Sequence, residues 1–409
     1  MSERLATRAE GERILAAFTP RMGRRYANGR NTDHGPGAHK AVSMLSPYIR
    51  RRLVLEADAV AAAIGAHGAA DAEKFVQEVI WRGYFKGWLE HRPQVWQSYR
   101  QGLEDDLTAL DHDRRLRRDL ERALAGRTGI ACFDAWAAEL VDTGYLHNHA
   151  RMWFASIWIF TLGLPWRLGA DFFLRHLLDG DAASNTLGWR WVAGLHTRGK
   201  PYAADARNIA TFTAGRFAPR PGDLADVTEG LEGTEPEGLP PALPLRPMAA
   251  PAPGVPTALL ITEEDCRVED FDLARLDLRA RATLRASHLR SPLPVADAVG
   301  RFEEGALADA ASRAGPGVVA LRADDPAALA TWAAKAGARQ IATPYVTRGP
   351  LRDWLDQAAP ALAREGIALC EWQRPWDAAI WPHATAGFFK VREKIPRILA
   401  ETLPERAFT

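Results

Sequence analysis

Cysteine is scarce. Cys132, Cys266 and Cys370 are the 3 cysteines of 409 residues, and their spacing suits neither a metal site nor a disulfide framework. Such usage fits a reducing compartment. Long apolar runs are missing as well. The uncharged stretch Met152 to Trp166 spans 15 residues, short of the roughly 18 that a membrane-crossing helix needs. The opening MSERLATRAEGERIL has no apolar core of the signal-peptide kind, so a soluble, cytoplasmic protein with no membrane partner is expected. No G-x-G-x-x-G and no P-loop mark the second half, so no nucleotide site is signalled there. The formal net charge is only +1, which excludes a strong field of one sign over the whole chain.

What is present is an ordinary globular composition, 47% hydrophobic and 25% charged, with 14 Trp, most of them before residue 200. The length sets a prior of two or three domains. Charge is split between the halves. Residues 1–217 carry 30 Lys/Arg against 24 Asp/Glu, and residues 218–409 carry 22 against 27. A mildly basic first half is compatible with a phosphate backbone as partner. Residues 219–256 hold 10 of the 27 Pro, and residues 223–237 carry 6 acids with no base, a composition that cannot fold alone and reads as an extended linker. Beyond it, the short apolar runs TALLIT, RATLRAS, GVVALRA, RQIATPYV and GIALCEW alternate with helical segments. That alternation predicts a parallel, doubly wound α/β sheet. The expected organisation is an all-α domain at 1–217, a Pro-rich acidic linker at 218–256 and an α/β domain at 257–409.

Within the first domain the chain is organised around Thr143 to Gly194. A Gly turn leads into a helical pattern dense in Trp and Phe, a second helix ends in Asp179-Gly180-Asp181, and Asn185, Trp189 and Trp191 follow. Asn148, Arg151 and Met152 stand at i, i+3 and i+4, so one helix face presents an amide, a cation and a thioether. Aromatic planes, a cation and spaced carboxylates suit a large planar, hydroxylated, anionic ligand. A plain buried helical hairpin suits the same pattern, since aromatic stripes are usually core. Upstream, residues 1–60 read as a helix, a Gly-rich loop and another helix, with Ser46 before Pro47 as an N-cap arrangement. Residues 71–100 read as one amphipathic helix with Glu78, Trp81 and Arg82 on one face, and 101–142 as charged helix including Arg114, Arg115, Arg117 and Arg118.

The pieces TGYLHNHARM, LPWRLGADFF, LLDGDAASN and GWRWVAG, in that order, together with QEVIWRGYF and SMLSPYI, resemble the flavin domain of the DNA photolyase and cryptochrome family. The resemblance implies a non-covalent FAD. Tyr26, Arg30 and the segment Ser43, Met44, Leu45 and Ser46 would serve its pyrophosphate end, although Val42 replaces the usual first hydroxyl. Arg82, Arg151, Asp179 and Asp181 would position the rings and sugar, and Asn185 would lie beside flavin N5. Glu78, Trp81, Asn148, Met152 and Trp191 match a cyclobutane-dimer pocket, with His149 replacing a usually basic residue. Trp189 and Trp166 match the first two members of an electron-hopping chain. The position expected for the third lies near Asp113, with Trp136 and Trp158 as alternatives. No metal ligand set stands out.

WDAAIWPHATAGFFKVREKIPRIL resembles the end of the family's antenna domain. That domain usually comes first, so the order here reads as a circular permutation. A second, antenna chromophore is left open by the residues. The function expected is light-driven repair of cyclobutane pyrimidine dimers by a monomer acting as a carbon–carbon lyase on UV-damaged DNA. The alternative is a blue-light flavoprotein receptor without repair activity.

Overall fold

The computed structural model describes residues 4–404 except Pro221 and Val227. In chain order the first eleven α-helices are α1 (Arg8–Phe18), α2 (Arg24–Gly29), α3 (Ser46–Arg50), α4 (Glu56–Glu90), α5 (Pro93–His112), α6 (Arg114–Leu124), α7 (Ala131–Thr143), α8 (Asn148–Ser156), α9 (Trp166–His176), α10 (Ala182–Val192) and α11 (Ala206–Phe212). The expected helix at 71–100 is two helices. Arg92 leaves helical geometry and Pro93, which lacks an N–H, opens α5. The uncharged run from Met152 is not one helix either. It widens into a π-helical turn at Ile157–Thr161, and Leu162-Gly163-Leu164-Pro165 ends it before α9, with Gly163 at φ 64°. Ser46 is the first residue of α3 rather than its cap. Leu45 holds the cap position, and its side chain makes no capping hydrogen bond.

The five expected strands form one parallel sheet. They are β1 (Pro256–Thr262), β2 (Asp277–Arg285), β3 (Val318–Arg322), β4 (Gln340–Pro344) and β5 (Ala368–Trp372), ordered β3-β2-β1-β4-β5. α12 (Asp297–Ala314), α13 (Pro326–Lys335) and α14 (Pro350–Arg364) intervene, and α15 (Pro375–Ile380), α16 (Phe389–Arg392) and α17 (Ile395–Thr402) follow. β1 is buried along its length apart from Pro256, as a central strand covered on both faces must be.

Contacts group the chain into two compact units that are not contiguous in sequence. One comprises Arg24–Met44 and Arg92–Ala242; the other comprises the described part of Ser2–Gly23, with Leu45–His91 and the described part of Leu243–Thr409. α1, α3 and α4 therefore group with the α/β segment, where sequence texture sets them with 1–217. The cause is charge pairing and close packing. Arg50, Arg51 and Arg52, all nearly inaccessible, meet the equally buried Glu263, Glu264 and Asp265 just beyond β1. Arg50 pairs with Glu264 at 2.5 Å, Arg51 with Glu263 at 3.0 Å, and Arg52 donates to both oxygens of Asp377 at 2.8 and 2.6 Å. Those charges fill the end of the sheet where doubly wound folds commonly leave a ligand crevice, between β1 and β4. On α4, Gly87 admits Trp381 so closely that a Cβ there would stand 2.9 Å from its Cα.

The Pro-rich stretch is extended, with one 3-10 turn at Leu231–Thr234. In the first unit Glu235 accepts from both terminal guanidinium nitrogens of Arg190, at 2.5 and 2.6 Å. In the second, Arg246 forks onto Glu371 at 2.5 and 3.1 Å.

Candidate flavin and substrate site

In the first unit, α7 ends on Gly144 in the left-handed region, and the chain turns into α8 with His147 as the cap, its Nδ1 accepting from the His149 N–H at 3.2 Å. That turn aims Arg151 back along the chain. Its guanidinium donates to Leu146 O at 2.9 Å and to Asp179 at 3.1 and 2.9 Å, so the expected cation and the first expected carboxylate are a charge-assisted pair. Asp181 caps α10, accepting from Ser184 N at 2.8 Å. One helical turn on, Asn185 donates its Nδ2 to Ala170 O at 2.7 Å. That bond commits the amide nitrogen and leaves Oδ1 as an acceptor.

Asn148 is exposed at the start of α8, and Met152 is half-buried one turn later. Trp191 is half-buried too, and one of its faces is stacked on Tyr202 at 5.3 Å, a neighbour that sequence spacing does not reveal. Tyr26 is buried in α2, and Arg30 follows it. In the SMLS segment Ser43 and Met44 are half-buried, and Met44 holds φ at 57°, a left-handed geometry uncommon outside Gly and the short polar residues. Leu45 is fully buried and Ser46 half-buried.

Trp189 is buried, with Trp158 at 6.1 Å and Phe173 at 5.1 Å, both edge-on. Trp166 instead neighbours Tyr99 at 5.8 Å, which stacks on Trp96 at 5.3 Å. Of the two alternatives for an extra relay residue, Trp158 is the one beside Trp189, while Trp136 stacks on Trp153 at 5.5 Å. Asp113 caps α6, accepting from Arg115 N and Leu116 N at 2.9 Å each.

Glu78, Trp81 and Arg82 belong to the second unit. With Phe85 they form a half-buried stripe on α4, as the i, i+3, i+4, i+7 spacing dictates. Trp81 is not open on both faces. Phe388 lies flat on it, 3.7 Å between centroids and 12° between planes. Sequence reasoning missed Phe388 as a site neighbour; its only signal is a pair of phenylalanines after a glycine in AGFFKVREK.

The three cysteines are buried and free, and burial pushes the Cys132 thiol up to about 12, which leaves it unreactive. Ligand atoms of Asp33, His39 and Glu139 come within 4.8 Å of one another. Arg216 at 2.6 Å, Trp136 Nε1 at 3.0 Å and Gly35 N at 2.9 Å already occupy the Asp33 carboxylate.

A guanidinium–carboxylate pair, a second carboxylate and an oriented amide acceptor, carried between α8 and α10, form a set of one cation and several acceptors that fits a large anionic cofactor with hydroxyl and N–H groups at its edges. Residues 75–217 match the family described as the FAD binding domain of DNA photolyase, and that match supports FAD as the cofactor. The matched stretch contains Glu78 through Trp191 but not Tyr26, Arg30 or the SMLS segment. Similarity to the photolyase and cryptochrome family is supported by curated relatives as well. Deoxyribodipyrimidine photo-lyase of Streptomyces griseus is 37% identical over 184 residues, 43% of this chain and 38% of that protein. The protein of the same name from a strain of Thermus thermophilus is 37% identical over 190 residues, 46% and 43% of the two chains. A bacterial class III photolyase from Agrobacterium tumefaciens aligns with a TM-score of 0.43 at 26% identity, covering 51% of this chain and 43% of that one. The chain thus spans less than half the length of these relatives. Among the described residues no helix is long and apolar enough to cross a membrane.

Proposed function

We propose that the protein repairs cyclobutane pyrimidine dimers in DNA under blue light, using a non-covalent FAD. The observation that carries this reading is the Arg151–Asp179 pair together with the anchored Asn185, inside the stretch that matches a photolyase FAD binding domain. On this reading Arg82, Arg151, Asp179, Asp181 and Asn185 hold the cofactor's rings and sugar, and Tyr26, Arg30 and Ser43 to Ser46 serve its phosphates. When bound and reduced, FAD supplies the light-excited electron that opens the cyclobutane ring and takes it back afterwards. The Asn185 amide offers Oδ1 to an N–H donor without adding charge, which a carboxylate at this place would do. Glu78, Trp81, Asn148, Met152 and Trp191 receive a dimer flipped out of the strand, and aromatic planes compensate the stacking it loses. Trp189, with Trp158 beside it, and Trp166 carry electrons to the cofactor. No side chain has to act as nucleophile or general base.

A second reading is a blue-light flavoprotein receptor without repair activity. The stack of Phe388 on Trp81 favours it, since that ring takes one face of an indole that repair would use. Blue light on the reduced holoprotein with a thymine-dimer oligonucleotide decides between them. Repair predicts restored thymine absorbance in light, none in the dark, and no action on a (6-4) lesion, because Asn148 and Met152 stand where that chemistry uses two histidines. Intact dimers beside a normal flavin photocycle would establish the receptor.

A further inference from the structure

We infer that the segment Phe388 to Lys394, at the end of the α/β region, is a nucleic-acid contact that holds an unpaired strand by stacking and phosphate pairing. Four observations converge there. Phe389 is 67% exposed, one of few large apolar side chains left in water among the described residues. The Arg392 guanidinium lies over its ring at 4.3 Å, so a cation and a π-face are presented together. Lys390, Arg392 and Lys394 are exposed, and among the described residues no ion pair engages any of them. This contrasts with the interior of the same unit, where arginines such as Arg52 and Arg374 are paired with carboxylates. Finally, the segment is held in place. Tyr84 donates its hydroxyl to Ala386 O at 2.9 Å, Val391 is fully buried, and Phe388 is stacked on Trp81 at 3.7 Å.

An aromatic ring flanked by unpaired cations on a rigid base is the chemistry that recognises single-stranded nucleic acid, where every base has a face to stack and every phosphate a charge to pair. A double helix offers no exposed base faces to Phe389. The anchoring means that little order has to be gained on binding. The inference goes beyond repair, because the surface holds a strand whether or not a dimer is split.

The test uses the full holoprotein in the dark with a fluorescein-labelled, undamaged oligothymidylate, read by anisotropy over a salt series. Phe389→Ala should weaken binding about 5- to 150-fold, and Phe389→Trp should keep the wild-type affinity. Replacing Lys390, Arg392 and Lys394 together by Ala should reduce the log–log salt slope by about 2, at roughly 0.7 for each phosphate left without its cation. Flavin absorbance and circular dichroism should not change in any variant. Wild-type affinity in Phe389→Ala, a loss in Phe389→Trp as large as in Phe389→Ala, or an unchanged salt slope in the triple variant would each overturn the assignment. A protein that binds through this surface yet leaves dimers intact sinks the repair reading alone. One that repairs dimers while Phe389→Ala binds normally sinks this inference alone.

Discussion

Gly169 on α9 is where the packing around Trp189 and Trp158 can be measured. A Cβ at this position would stand 2.3 Å from Cη2 and 2.6 Å from Cζ3 of Trp189, and 2.9 Å from Cε2 of Trp158. Carbon atoms rest about 3.5–4.0 Å apart, so in Gly169→Ala the Trp189 ring must retreat by roughly 1.2 Å or α9 must lift away. Retreat is blocked, because Trp189 is 2% exposed and has Phe173 at 5.1 Å and Trp158 at 6.1 Å around it. Overpacking of this kind costs about 1–3 kcal/mol, and rigid rings on the receiving side place the cost at the upper end. Helix propensity opposes it, since Ala is favoured over Gly by about 1 kcal/mol in a helix interior. Gly188 on α10 supplies the reference. A Cβ there meets nothing within 4 Å, so Gly188→Ala should stabilise by about 0.5–1 kcal/mol. Propensity cancels between the two variants, and the packing cost of about 2–3 kcal/mol should appear as their difference in urea denaturation followed by circular dichroism. Ala170, next to Gly169, accepts the Asn185 amide, so flavin retention should fall in Gly169→Ala and hold in Gly188→Ala. Two variants within about 0.5 kcal/mol of each other would refute the close-approach argument.

Three further outcomes are expected. Arg52→Met takes a cation from the buried Asp377, Glu56 and Asp265. Asp265 keeps Arg374, but Asp377 loses a partner that bonds both its oxygens, so the variant should destabilise by about 3–5 kcal/mol, and an unshifted melting temperature would contradict this. Burial pushes His147 down to about 4, below an unfolded value near 6.5. Between those values the unfolded chain binds more protons, so this contribution is complete above about pH 6.5 and is lost as pH falls toward 4. His147→Asn keeps a capping side chain, and its melting temperature should fall less steeply over that window; parallel profiles would rule His147 out. Trp191→Ala should weaken binding of dimer-containing DNA about 5- to 150-fold with flavin content near normal, and equal loss of flavin would place Trp191 in the cofactor site instead.

The strands and most of the helices are legible in the sequence because they depend on near neighbours. Alternation of apolar runs and helical periods marks all five strands, and Pro93, Gly144 and Pro165 act on the backbone where they stand. The stretch that holds the Arg151–Asp179 pair and the Asp181 cap stands out for the same reason, being compact in sequence, and so does the extended, proline-rich stretch. What the tertiary structure decided involves residues far apart in the chain. Arg52 meets Asp377 across 325 positions, and no local pattern distinguishes that buried arginine from the solvated Arg115 or Arg118 of α6. The grouping of α1, α3 and α4 with the α/β segment follows from such pairs. Trp158 rather than Trp136 lies beside Trp189 because Gly169 lets α9 and α10 approach. Likewise Phe388 meets Trp81 because α15 and the turn Trp381–His383 pack along α4, since stacking is set by where two rings lie in space and not by their order in the chain.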